Sequence, residues 1–334
     1  MARVKDARSS NAAPPVFAFA AALLLLVFSG SGRSQIKITS NLVVVPVSVR
    51  GTDGELVAGL TKEDFIVLED GQRQTTSNFD SDPQPMSAAI VIDTGIGGIA
   101  IHRVASQLPV LAGSIHTDDE VSVFRYDSVV DQLSDFSRDP KVLQKSFATI
   151  SKIAESRPQE QAEVVTGGPG WLRSVLGIFP DGSKGTAKNH VLHNAIFDAA
   201  KALQDRSIER RKVIFIVSDG RASGPANAHS PGPNTDLLLK NDIQVFAVST
   251  DYAEFGSFGK LSDYATATGG DVYAGATDST LEHAFSLVTE QARNQYVLGY
   301  TSNIRPPKTG VFHNIVVKTN QTNQKVTHRK GYLR

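Results

Sequence analysis

Four runs of consecutive apolar residues, each followed by a helical pattern, constrain this chain more than any other feature. They are AAIVID (residues 88–93), VSVFRY (121–126), KVIFIVSD (212–219) and IQVFAVST (243–250), with a shorter run, DVYAG, at 271–275. AAIVID is a continuous apolar run without the alternation of a strand with one wet face, as expected for a strand buried on both faces. Helical spacing fills the gaps, at residues 101–111, 141–153, 191–203, 237–241, 260–267 and 281–292. Strands alternating with helices predict an α/β domain over 86–292 with a doubly wound, mainly parallel sheet. Ligands of such sheets sit outside the carboxyl ends of the strands, which directs attention to the loops after Asp93, Asp219 and Thr250.

The flanks have a different rhythm. Residues 35–82 carry short β-branched stretches broken by Asp53-Gly54 and Asp70-Gly71, and residues 293–334 return to β character with QYVLGY and FHNIVVKT. The two flanks are expected to pack together as a small β-sandwich, because chain termini often lie close together. An irregular insertion at 155–188 contains many Gly and Pro and the only tryptophan, Trp171, within WLRSVLGIF. Aromatic anchors are favoured at interfaces, so Trp171 is a candidate partner contact; the alternative is a helix docked on its own domain.

The first residues read as an address. Arg3, Lys5 and Arg8 precede a 13-residue apolar run and the small residues 29–32, which is the pattern of a secretory signal peptide over 1–34. The run is short of the roughly 20 residues of a spanning helix, so no stable membrane span is expected after cleavage. Export to a periplasm or beyond the cell follows as an expectation. The whole chain has 34 Lys+Arg and 34 Asp+Glu; without residues 1–34 the counts become 30 and 33. No basic excess remains to displace counterions from phosphates, which argues against nucleic acid. The absence of cysteine excludes disulfides, thiolate metal sites and a cysteine nucleophile. No Gly-x-Ser-x-Gly elbow, Walker pattern or Gly-x-Gly-x-x-Gly loop is present.

IVIDTGIGG, IFIVSDG and IQVFAVST resemble a von Willebrand factor type A domain. The flanking VVVPVSVRGTDGELVAGLTKEDFIVLEDGQ, RNQYVLGYT, GVFHNIVVKT and RKGYLR resemble a related family known mainly from acidobacterial exported proteins. The resemblance spans nearly all of the chain beyond residue 34. It implies a binding module, not an enzyme, with a metal-ion-dependent adhesion site in which Mg²⁺ or Mn²⁺ accepts a carboxylate from a protein or cell-surface partner. Asp93 matches the first aspartate of that site and Asp219 the last. Gly95 and Gly97 stand where the family has serines. The threonine is either Thr186 or, counting back from the helix at 194–200, replaced by His190. Two glycines remove two side-chain oxygens from an ion that wants six, so the site is expected to be degenerate and metal-free. Should metal bind, Asp93, Asp219 and Thr186 are the expected ligands. The partner contact is expected at Thr94, Gly95, Gly97, His190 and Trp171.

Competing readings stay open. Asp93-Thr94-Gly95 also matches the aspartic-protease motif, in which two carboxylates share a proton. That fold would need a second copy of the motif and β-hairpins after Gly98. A metal-free structural scaffold of the envelope is the other alternative. His190 and His193, three apart, are expected to be solvated histidines on a helix surface. Asp118-Asp119-Glu120 reads as a solvated turn, and Asp64 and Glu69 as residues on the wet face of a sheet.

Overall fold

A computed structural model describes residues 42–158, 190–222, 227–250, 259–304 and 310–333. Four short strands come first: β1 (Leu42–Arg50), β2 (Phe65–Glu69), β3 (Gln72–Gln74) and β4 (Thr76–Asp80). The α/β region follows with β5 (Met86–Asp93), α1 (Gly98–Gly113), β6 (Glu120–Tyr126), β7 (Val130–Ser137) and α2 (Pro140–Glu155). It continues through α3 (Leu192–Gln204), β8 (Arg211–Ser218), α4 (Pro231–Lys240), β9 (Ile243–Ser249), α5 (Gly259–Thr268), β10 (Val272–Ala274) and α6 (Asp278–Arg293). The chain closes with β11 (Tyr296–Thr301), β12 (Phe312–Thr319), β13 (Lys325–His328) and β14 (Gly331–Leu333). Residues 1–41, with the expected signal peptide, and Trp171 and Thr186 lie outside the described residues.

The central sheet has the order β10-β9-β8-β5-β6-β7, parallel except for β7, which returns antiparallel to β6. Every residue of β5, β8 and β9 is buried. The reason is that both faces are covered. Ile90, Ile92, Phe215 and Phe246 pack under α1, α2 and α6, while Ala89, Val91, Ile214 and Val245 pack under α3, α4 and α5. Each large side chain so removed from water contributes about 1.5–3 kcal/mol before entropy is charged against it. Local signals place the helix starts: the Asp139 side chain accepts from Lys141 N–H ahead of Pro140, and Thr277 accepts from Thr280 N–H ahead of α6. Strand order reverses between β5 and β8, and the carboxyl ends of these two strands open a crevice there.

The flanks form two antiparallel sheets, β13-β1-β11-β4 and β14-β12-β2-β3, around a core of Val45, Val47, Phe65, Val67, Leu298, Tyr300 and Ile315. Each sheet takes strands from both ends of the chain: β1 pairs with β11, and β2 with β12. Buried polar contacts clamp this sandwich to the α/β layer. Arg50 donates to Gln291 Oε1 at 3.0 Å, Arg211 to Gln295 Oε1 at 2.6 Å, and Lys330 N–H to the Ala267 carbonyl at 3.0 Å. Gly269 allows the close approach. Its φ is +82°, and a Cβ there would lie 2.4 Å from Arg329 N.

Of the acidic stretch at 118–120, Asp118 is exposed in a turn as expected, but Asp119 is not solvated. Asp119 is buried, accepts from Met86 N–H (2.8 Å) and His116 N–H (2.9 Å), and ion-pairs with buried Arg293 at the end of α6. Among the described residues, no helix is long and apolar enough to cross a membrane.

Two outcomes follow for stability. Asp119→Ala leaves Arg293 and two backbone N–H groups unpaired, and should lower the unfolding free energy by about 3–5 kcal/mol in urea titration. A loss below about 1 kcal/mol would show that Arg293 finds water instead. The second concerns pH. His328 accepts from Val317 N–H at Nε2 (3.1 Å) and donates from Nδ1 to the Arg329 carbonyl (2.8 Å), so the ring is neutral. Burial lowers its pKa, partly opposed by the Arg329 carbonyl. The unfolded chain therefore takes up a proton near the ordinary value of about 6.5 that the folded chain refuses. This contribution is present above that pH and is lost as pH falls below it. The melting temperature of the parent chain should drop more between pH 7.5 and 5.5 than that of His328→Gln, and equal drops would refute the assignment.

Candidate functional site

The crevice holds three titratable side chains. Asp93 ends β5, Asp219 follows β8, and His190 lies two residues before the first residue of α3; one ligand atom from each falls within 4.8 Å of the others. Asp93 is fully buried. Its Oδ1 accepts from Gly95 N–H at 2.8 Å and its Oδ2 from the Ser218 hydroxyl at 2.9 Å. Ser218 accepts in turn from the Tyr126 hydroxyl (2.7 Å) and from Gly220 N–H (2.9 Å). Burial and the neighbouring Asp93 push the Tyr126 pKa well above its usual range, so the phenol stays a donor. Asp219 is raised by burial, with Arg221 N–H holding Oδ1 at 2.9 Å as a counterweight.

His190 corrects the expectation of a solvated histidine, being only 8% exposed. Its carbonyl accepts from Asn227 Nδ2 at 2.8 Å, and the N–H of the next residue, Val191, donates to the Asp127 carbonyl at 3.1 Å. Its Nδ1 stands 3.9 Å from Asp93 Oδ2 and has no hydrogen-bond partner. The Asp93 side chain raises the His190 pKa against the opposing effect of burial. His193 is likewise buried, not solvated: its Nδ1 lies 3.0 Å from the Tyr264 hydroxyl, and burial lowers its pKa.

The two glycines now differ in meaning. Gly97 is exposed and caps α1. Gly95 is buried, and a Cβ on it would sit 3.1 Å from Asp93 Oδ1 and 3.3 Å from the His190 ring. The missing side chain at 95 is therefore the space that the imidazole fills. Thr94, expected at the contact surface, is fully buried, and its hydroxyl donates to the Tyr126 carbonyl at 3.0 Å. The residues after Gly98 form α1, not the β-hairpins that a protease reading requires. Ser218 and Tyr126 were missed from sequence; only the serine beside Asp219 carried any local signal.

Do these groups suit a metal? Mg²⁺ wants six oxygens in near-octahedral array, and the hydroxyls of Thr94 and Ser218 are already committed as donors. Two carboxylates and one imidazole with an orphaned nitrogen instead match the donor set of a borderline ion such as Zn²⁺ in a three-ligand site.

No protein-family model matches the sequence, and no curated protein matches it. Solved structures do. A von Willebrand factor type A protein from Catenulispora acidiphila is 11% identical, with 89% of this chain and 75% of that one covered and a TM-score of 0.41. The von Willebrand domain of the type V pili tip protein Mfa5 from Porphyromonas gingivalis is 12% identical, covering 62% and 95%, with a TM-score of 0.41. An aerotolerance-related membrane protein from Bacteroides fragilis is 11% identical, covering 62% and 99%, with a TM-score of 0.40. The chain's structural neighbours are von Willebrand factor type A domain proteins.

Proposed function

We propose that this is an exported, non-enzymatic binding protein that docks a protein or cell-surface partner on the rim of the β5/β8 crevice. The observation that carries the reading is the convergence of Asp93, His190 and Asp219 at that opening, with a buried His190 nitrogen left without a partner. Asp93 is held by Gly95 N–H and Ser218, and the His190 backbone by Asn227. Rigid, preorganised groups lose little freedom when a partner arrives. The pocket suits a divalent ion of the zinc class, held by Asp93, His190 and Asp219. Such an ion would act as a Lewis acid for an acidic side chain of the partner. Exposed Gly97 and the α1 N-terminus stand beside it, where backbone N–H groups favour the same negative charge.

Calorimetric titration tests the pocket. Zn²⁺ or Co²⁺ should bind the parent chain and His190→Asn should lose more than the roughly 10–100-fold that an outer-shell change costs, while Mg²⁺ gives no comparable heat. Equal Mg²⁺ and Zn²⁺ binding, untouched by His190→Asn, would sink the zinc-class assignment. Gly95→Ser restores a hydroxyl but crowds Asp93 and the imidazole. It should cost about 1–3 kcal/mol of stability and weaken Zn²⁺ relative to Mg²⁺. Partner docking is read by affinity capture from a surface extract of the source cells. A partner retained by the parent chain and released by chelator or by Asp219→Asn supports the reading; identical capture by both chains overturns it.

A further inference from the structure

Glu69 was expected on the wet face of its sheet, yet it is wholly buried in the sandwich. Its Oε1 accepts from the Ser302 hydroxyl at 3.0 Å and the Tyr332 hydroxyl at 2.7 Å, while Oε2 has no partner. Beside it the β2–β3 turn places Asp70 in the left-handed region, φ +48°, followed by Gly71 at +81°. This turn brings the Asp70 carboxylate back over β12. Its Oδ1 accepts from Asn314 N–H at 2.8 Å, and its Oδ2 lies 2.8 Å from His313 Nδ1. The same His313 nitrogen is 3.5 Å from Glu69 Oε1. His313 is 4% exposed and stacks on Tyr332, with ring centroids 5.2 Å apart.

The charges do not balance. Two carboxylates share one imidazole, and among the described residues His313 is the only ion-pair partner of either. Arg329 packs over the Tyr332 ring but directs its guanidinium to Asp242 and the Val44 carbonyl. A second side chain is also unsatisfied. Tyr300 is fully buried, and its hydroxyl faces the Glu69 carboxylate without reaching good hydrogen-bond geometry. Buried orphans of this kind need a water or an ion to complete them, because an unsatisfied group costs about 1–3 kcal/mol and a charged one more.

We propose that Glu69, Asp70 and His313 form a second divalent-cation site of the zinc class, independent of the Asp93 pocket, that pins the β2–β3 turn to β12 and β14. At metal–ligand distances of about 2.0–2.2 Å a tetrahedral ion spaces its ligands by roughly 3.3–3.5 Å. The 3.5 Å gap between His313 Nδ1 and Glu69 Oε1 is of this size, but Oε1 accepts from Ser302 and Tyr332, so one of those hydroxyls must release it, and the Asp70 carboxylate must withdraw by about half an ångström. Asp70 can do so because its side chain is 38% exposed, which also leaves an entry path. A water completes four-coordination. The site ties residue 313 and the closing strand to a turn more than 240 positions earlier, so binding stabilises the joint between the two ends of the chain.

Cobalt absorption and metal counting on the full exported chain separate this site from the other. The parent chain should bind two equivalents of Co²⁺ or Zn²⁺. His190→Asn should keep one, His313→Asn should keep one, and the double variant none. One equivalent in the parent that survives His190→Asn and disappears in the double variant supports this site while the crevice reading fails. One equivalent lost with His190→Asn, or an equivalent still held by the double variant, overturns it. Should His313→Asn fold poorly, Glu69→Gln keeps acceptors for Ser302 and Tyr332 and serves in its place. Excess Zn²⁺ should raise the melting temperature of His190→Asn and leave that of His190→Asn/Glu69→Gln unmoved. Equal melting shifts in both would mean a water-filled structural cluster and no ion site.

Discussion

A carboxylate buried to zero exposure at the end of a strand must be answered by its surroundings, and Asp93 sets that requirement for the whole crevice. Its oxygens are met from a turn and a strand: Gly95 N–H from its own turn, and the Ser218 hydroxyl from the end of β8. Ser218 can serve only because β8 lies directly beside β5, in register from Met86 with Arg211 to Ile92 with Val217. Tyr126 reaches Ser218 from the other neighbour, β6. The sheet order that creates the crevice thus also supplies the hydrogen bonds that make a buried acid tolerable there. Stability and site are one arrangement seen at two depths.

The sandwich matters to that arrangement because it closes the chain around it. Strands from residues before β5 and after α6 pair with one another, so the α/β layer is an insertion whose two ends are tied. Arg50 and Arg211 carry the tie, each bonded to a carboxamide, while Arg293 fixes the end of α6 to Asp119 ahead of β6. Burial lowers the Arg211 pKa to about 10, which still leaves it charged at neutral pH. Buried guanidiniums with fixed partners are directional, so they hold one orientation better than apolar packing alone would.

What sequence reasoning could read follows from this physics. β5, β8 and β9 are apolar throughout because helices cover both faces, and such runs declare themselves. β7 did not. Its VDQLSDFS is polar and largely half-exposed, since it lies at the sheet edge and turns back antiparallel on β6. Asp93 and Asp219 were legible from flanking motif residues. His190, His193, Asp119 and Glu69 were each expected in water and are each buried. Composition cannot reveal that, because a polar residue is buried only when a partner distant in sequence meets it. Asp119 waits for Arg293, 174 positions on, and Glu69 for Ser302, 233 positions on.

The pairing of Gly95 with His190 carries the argument about specificity. A serine at 95 would place its Cβ against the imidazole, so a hydroxyl at that position and a histidine at 190 compete for one volume. A chain that occupies the space with the ring gives up a hard oxygen donor and gains a softer nitrogen. Ion preference follows donor type, with carboxylate and hydroxyl suiting Mg²⁺ and imidazole suiting zinc-class ions. The imidazole stands 3.9 Å from one buried carboxylate oxygen, and the Asp93 side chain raises the His190 pKa against the opposing effect of burial.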